Sequence, residues 1–135
     1  CAGYSEGKFY GMSVSDFKML LADLGLTMKS GHTQTGNQKK DQTRTMVNNW
    51  EAACEDFANV GMKTIALAYL HDFERKKIDD YHYINDLLNK CGETAKKHGL
   101  QMAYHNHDFE FQANKDGIVP IDYLLEHLDP KYVNF

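Results

Sequence analysis

The densest chemistry in the 135 residues lies in eight of them, Tyr104 to Phe111, "YHNHDFEF". Two imidazoles, an amide and two carboxylates share this run, and groups so polar are costly to bury unless something pairs with them. Strand alternation sets His105 and His107 on one face, with Tyr104, Asn106 and Asp108 on the other. Such an HxH pair suits Zn, Mn, Fe or Co, because imidazole binds these ions readily. A hydrogen-bonded pair filling a polar layer explains the same spacing, and both readings stay open. Glu110, between Phe109 and Phe111, reads either as a proton-transfer group or as a surface carboxylate between packing aromatics.

The elements that must position these groups follow a repeating strand-helix rhythm. Ser13 and Asp16 mark a helix start, and Phe17, Leu20, Leu21 and Leu24 form one apolar face that ends at Gly25. "LTMKS" is expected as a strand closing near His32. A second helix from about Asp41 carries Met46, Val47, Trp50, Cys54, Phe57 and Ala58 and stops at Gly61. "KTIALAYL" then reads as a strand buried on both faces. A third helix, about Asp80 to His98, aligns Ile84, Leu87, Leu88, Cys91 and Ala95 before Gly99, and "LQMAYHNH" follows. A fourth starts near Pro120 with Ile121, Leu124, Leu125 and Leu128, and "YVNF" begins another strand.

The stop glycines at 25, 61 and 99 are 36 and 38 residues apart. Units of that length imply parallel strands with right-handed crossovers. No glycine-rich phosphate turn is present, which argues against a nucleotide-binding sheet. Eight such units would make a barrel of roughly 250 to 300 residues, so four predict about half of a (β/α)8 barrel. In that architecture the chemistry gathers at the C-terminal strand ends. Tyr4 with Glu6, His32 in "KSGHTQTG", His71 with Asp72, and the quoted octapeptide all fall there. Tyr10 and Gly11 are further candidates for lining the mouth, while His82, His98 and His127 belong to the outer helices.

Composition narrows the classes. Hydrophobic content is 42% and charged content 25%, as in a folded globular domain. The net charge is −4, and the basic residues gather only as Lys39-Lys40 and Arg75-Lys76-Lys77, so no nucleic-acid partner is expected. No apolar run approaches the roughly 20 residues of a membrane helix, so no membrane partner is expected either. Three cysteines without a CxxC spacing argue against a disulfide framework, and Cys54 and Cys91 read as buried thiols. The chain starts at Cys1 and ends on "KYVNF", and residues 1–135 are expected to be a single partial domain truncated at both ends. The expected compartment is the cytoplasm, with the periplasm as an alternative.

The octapeptide, preceded by "LNKCGETAKKHGLQMA" and followed by "GIVPIDYLLEHLDPKYVNF", closely resembles the sugar phosphate isomerase/epimerase family, which has a xylose isomerase-like TIM barrel. The segment "EGKFYGMSVSDFKMLLADLGLTMKSGH" resembles the same family's second unit. The resemblance implies a divalent metal (Mn, Co, Zn or Mg) and proton abstraction next to a carbonyl through an enediolate. The catalytic candidates are Glu110, His32 and His107, and the substrate-binding ones are Tyr4, His71 and Asn106. His105 is the metal candidate, standing where many relatives have a glutamate, and the remaining ligands are expected beyond Phe135. The implied substrate is a small sugar or polyol. An inosose dehydratase-like lyase and a non-catalytic sugar-binding relative are the alternatives. A half-barrel would be inactive by itself, and its exposed surfaces predict a homo-oligomer.

Overall fold

The chain opens as an antiparallel meander of β1 (Tyr4–Ser5), β2 (Lys8–Phe9) and β3 (Met12–Ser13). Its two turns hold Glu6, Gly7, Tyr10 and Gly11 at positive φ, the geometry that two-residue hairpin loops demand. The computed structural model describes residues 2–39 and 41–135; Cys1, and Lys40 of the Lys39-Lys40 pair, lie outside them.

Helix α1 (Val14–Asp23) starts where expected, the Ser13 hydroxyl accepting the Asp16 N–H at 3.1 Å. Its apolar face is narrower than the sequence suggests: Phe17 and Leu21 are buried, but Leu20 and Leu24 are exposed. The next strand, β4 (Ser30–Thr33), begins later than "LTMKS" and carries Gly31 against the helices. A Cβ there would stand 2.7 Å from the Phe57 ring and 2.8 Å from the Met62 sulfur, so only glycine lets the helix side approach this closely.

Helix α2 (Trp50–Asn59) starts nine residues after Asp41, where the sequence pattern had suggested it would begin. The amides of Met46 and Val47 donate to the carbonyls of Gln34 and Thr35, so this stretch pairs with the loop after β4 instead of coiling. Arg44 and Asn49 take positive φ to make the turn. The chain continues through β5 (Thr64–Leu67), α3 (Ile78–Lys97), β6 (Gln101–Tyr104), α4 (Pro120–His127) and β7 (Val133–Asn134). Short 3-10 turns at Asp72–Glu74 and Phe109–Phe111 follow β5 and β6.

The strands β4-β5-β6-β7 form one parallel sheet, with Gly31, Ile65, Met102 and Val133 in one row and His32, Ala66, Ala103 and Asn134 in the next. The first row turns to the helices and is buried with Phe57, Ile84 and Leu88. The second row lies on the other face, so β5 alternates instead of being buried on both sides. Trp50 donates its indole N–H to the Cys91 carbonyl at 2.9 Å and ties α2 to α3. The result is half of a (β/α)8 barrel whose sheet is not closed. No helix of the described residues is long and apolar enough to cross a membrane.

Cys54 and Cys91 are buried, and desolvation pushes each thiol up to about 12. At pH 8 only about one in ten thousand of such thiols is ionised. Alkylation with iodoacetamide at that pH is therefore expected to spare both in the folded chain and to label both in urea, as read by peptide mass spectrometry.

Candidate functional site

The parallel register delivers His32, at the C-terminal end of β4, opposite Ala66 and Ala103. These small neighbours leave room above the sheet. The last residue of β6 is Tyr104, so His105, Asn106 and His107 lie just beyond the strand and not within it. The His105 amide still donates to the Leu67 carbonyl at 3.1 Å, which extends the ladder by one bond and keeps the alternation. His105 and His107 accordingly fall on the same side, their rings nearly parallel with centroids 4.8 Å apart. His32 meets His105 edge to face at 5.5 Å. Burial above all holds His32 below the usual histidine range, so it is neutral at physiological pH.

Tyr69, just after β5, is the hub of the remaining rings. It contacts His71 at 5.5 Å, His107 at 5.1 Å and Phe109 at 5.7 Å, each close to perpendicular. Yet 41% of Tyr69 stays open to solvent. A cleft of about 320 Å3 lies at this end of the sheet, lined among others by Tyr4, His32, Arg44, Tyr69 and His71. Tyr4 donates its hydroxyl to Asp56 at 2.6 Å, and Asp56 also takes the Arg44 guanidinium. Burial and Asp56 raise the Tyr4 hydroxyl well above the tyrosine range and keep it a donor. Tyr10 and Gly11 are not among the cleft-lining residues; the Tyr10 ring lies 6.0 Å from that of Phe17. Glu6 is exposed on its hairpin turn, and Asp72 pairs with Arg75.

Glu110 is completely buried with both oxygens engaged. One accepts the Tyr104 hydroxyl at 2.5 Å and the other the His107 N–H at 2.6 Å. Burial and this carboxylate push the Tyr104 hydroxyl up, so it stays protonated and donates. The geometry makes Glu110 the residue that fixes His107. Sequence reasoning missed its twin. Glu74, also buried, accepts the His71 N–H at 3.0 Å on one oxygen, and on the other the Thr35 hydroxyl at 2.5 Å and the Asn37 amide at 2.9 Å. The signal was available: "HDFE" occurs at 71–74 and again at 107–110, 36 residues apart. Each copy turns its glutamate back on the amide of its own histidine.

The arrangement is that of a barrel mouth in which three consecutive strand ends present imidazoles beside an aromatic hub. No protein-family model and no curated protein matches the chain. Two solved structures of a sugar phosphate isomerase/epimerase from Parabacteroides distasonis are similar to it, at 26% identity over 98% of this chain and with TM-scores of 0.79 and 0.80. The chain spans about half of their length, 51% and 54%. A xylose isomerase-like TIM barrel protein from Mycobacterium smegmatis, in complex with magnesium, shares the fold at 14% identity and a TM-score of 0.53, over 89% of this chain and 44% of that one. The chain's structural neighbours are thus sugar phosphate isomerase/epimerase and xylose isomerase-like proteins.

Among the described residues, no group of three or more His, Cys, Asp or Glu is gathered to hold a metal ion. The imidazoles still fit as part of such a site. His107 carries a buried ring nitrogen, Nδ1, with no hydrogen-bond partner among the described residues, and His105 is next to it. The glutamates of the two turns are already committed to other donors and are not free to join them.

Replacing either glutamate by glutamine swaps one acceptor for an N–H2 that must face donors. Glu110→Gln and Glu74→Gln are each expected to cost roughly 1–3 kcal/mol in urea unfolding. Each should also shift the ring resonances of its own histidine, His107 or His71, more than those of the other.

Proposed function

We propose that this chain contributes to a metal-dependent isomerase or epimerase acting on a sugar or sugar derivative. The observation that carries the reading is the convergence of His32, His105 and His107 at the C-terminal strand ends of a half-barrel similar to sugar phosphate isomerase/epimerase structures. The reaction is proton abstraction from the carbon next to a carbonyl, giving an enediolate that is reprotonated on the neighbouring carbon or on the opposite face. His32, neutral at physiological pH, is the base that accepts this proton. His107, its ring stacked beside that of His105, contacts the substrate from the same side of the mouth. Glu110 acts through His107 as its positioning residue. Tyr4, His71 and Asn106 hold the rest of the substrate, joined by Tyr69, whose exposed ring suits the apolar face of a sugar. His105 is the ligand this chain offers to a divalent ion, which would supply Lewis-acid stabilisation of charge at the carbonyl oxygen.

In the intact protein, His32→Ala is expected to lower kcat/KM on its ketose or keto-inositol substrate by about 10^2 to 10^4. His105→Ala should reduce the bound divalent metal measured by elemental analysis. A panel of ketoses and keto-inositols, run with and without chelator, tests the reading. An intact protein that holds no divalent metal and is indifferent to chelator would remove the metal from it.

We also propose that a second copy covers the open sheet when the 135 residues stand alone. Among the described residues β4 and β7 are each bonded on one side only, and Leu125 and Phe135 beside β7 are 60% and 48% exposed. Solution scattering is expected to give the mass of two chains; a monodisperse monomer overturns the association.

A further inference from the structure

A row of rings leads out of the mouth along the loop after β5. Tyr69 and His71 line the cleft beside His32, and the His71 ring lies face to face with that of Phe73 at 5.8 Å, the planes 3° apart. Phe73 in turn lines an outer cleft of about 210 Å3, with Asn37, Glu74, Asp80 and Tyr83. His71 covers one face of Phe73, yet 46% of that residue is exposed, and Tyr83 on α3 is 48% exposed. The two clefts thus share a wall, the His71–Phe73 stack, and the outer one holds two open aromatic side chains.

The polar groups of the outer cleft keep free capacity. Asn37 donates from Nδ2 to Glu74 at 2.9 Å and accepts the Tyr83 hydroxyl at 3.2 Å, so its second Nδ2 hydrogen has no partner among the described residues. Asp80 spends only one carboxylate oxygen, on the amides of Lys76 and Lys77 at 2.8 and 3.1 Å. A free donor and a free acceptor between two aromatic side chains suit a sugar ring. Its hydroxyls both give and take hydrogen bonds, and its C–H face packs on aromatic surface. Two carboxylates and no cation line the cleft, so the group that fits it is uncharged.

We propose that this cleft is an outer subsite for a second sugar ring, packed on Phe73 and Tyr83 and hydrogen-bonded by Asn37 and Asp80. The ligand is then a glycosylated ketose or cyclitol that spans both clefts. Its reacting ring lies at His32, its glycosyl ring on Phe73, and the linkage passes over His71. A volume of about 210 Å3 admits one such ring. The inference rests on the isomerase reading for the inner ring and adds to it the size of the substrate.

The test compares fructose with three of its glycosylated relatives, maltulose, lactulose and isomaltulose, each titrated into the intact protein by calorimetry. At least one disaccharide is expected to bind about tenfold tighter than fructose, the gain that two added ring contacts supply. Intermolecular NOEs from the Phe73 and Tyr83 ring protons should reach the glycosyl C–H protons of that disaccharide. Phe73→Ala/Tyr83→Ala is expected to bring the ratio of the two affinities close to one. Phe73→Leu, which keeps apolar bulk without a ring face, should lower the ratio in the same direction. Disaccharides that bind no tighter than fructose, a ratio that survives these substitutions, or NOEs that miss both rings overturn the outer subsite and leave the isomerase reading standing. Binding of none of the four sugars, fructose included, removes the inner site and the outer one together.

Discussion

A glutamate turned back on the backbone amide three residues before it is the contact on which the mouth of this half-barrel depends. Glu74 and Glu110 each sit in a short 3-10 turn after a strand, buried to within 5% of complete exclusion from solvent. A carboxylate so placed is tolerated only if donors surround it. The protein meets that demand with the histidine N–H on one oxygen and hydroxyl or amide donors on the other. Charge-assisted bonds of this kind are roughly twice as strong as neutral ones. They fix where the chain turns, and so they fix where His71 and His107 leave the strand ends.

The rhythm of the fold was legible because it is local. Apolar periods and stop glycines located α1, α3 and α4, and Gly25, Gly61 and Gly99 all take the positive φ of a helix end. Long-range hydrogen bonds decided the rest. Residues 41–49 carry a helical apolar pattern, yet the Gln34 and Thr35 carbonyls claim two of their amides. The opening meander has strands of two residues, too short for any alternation to register.

The site divides in the same way. His105 and His107 stood out because they are two residues apart, and His32 because it ends a strand. Tyr69 did not stand out, since a tyrosine closing the apolar run "KTIALAY" reads as core. Glu74 escaped because its signal is a tetrapeptide repeated across a whole strand-helix unit. Glu110 stood out, but which of its neighbours it binds depends on a turn that no spacing rule specifies.

Glu74 and the residue after it join three loops. Glu74 reaches back to Thr35 and Asn37 beyond β4, while Arg75 reaches forward, its guanidinium 3.6 Å from the centre of the Phe109 ring. Phe109 in turn stacks on His107 at 5.4 Å, and His107 on His105. A desolvated cation over an aromatic face contributes about 2 kcal/mol, enough to favour one arrangement of the loops over its alternatives. The loops that carry His32, His71 and His107 are therefore held to one another and not only to their own strands. Histidines supported in this way keep their spacing without help from a ligand, which is the preorganisation that a proton transfer between fixed atoms requires.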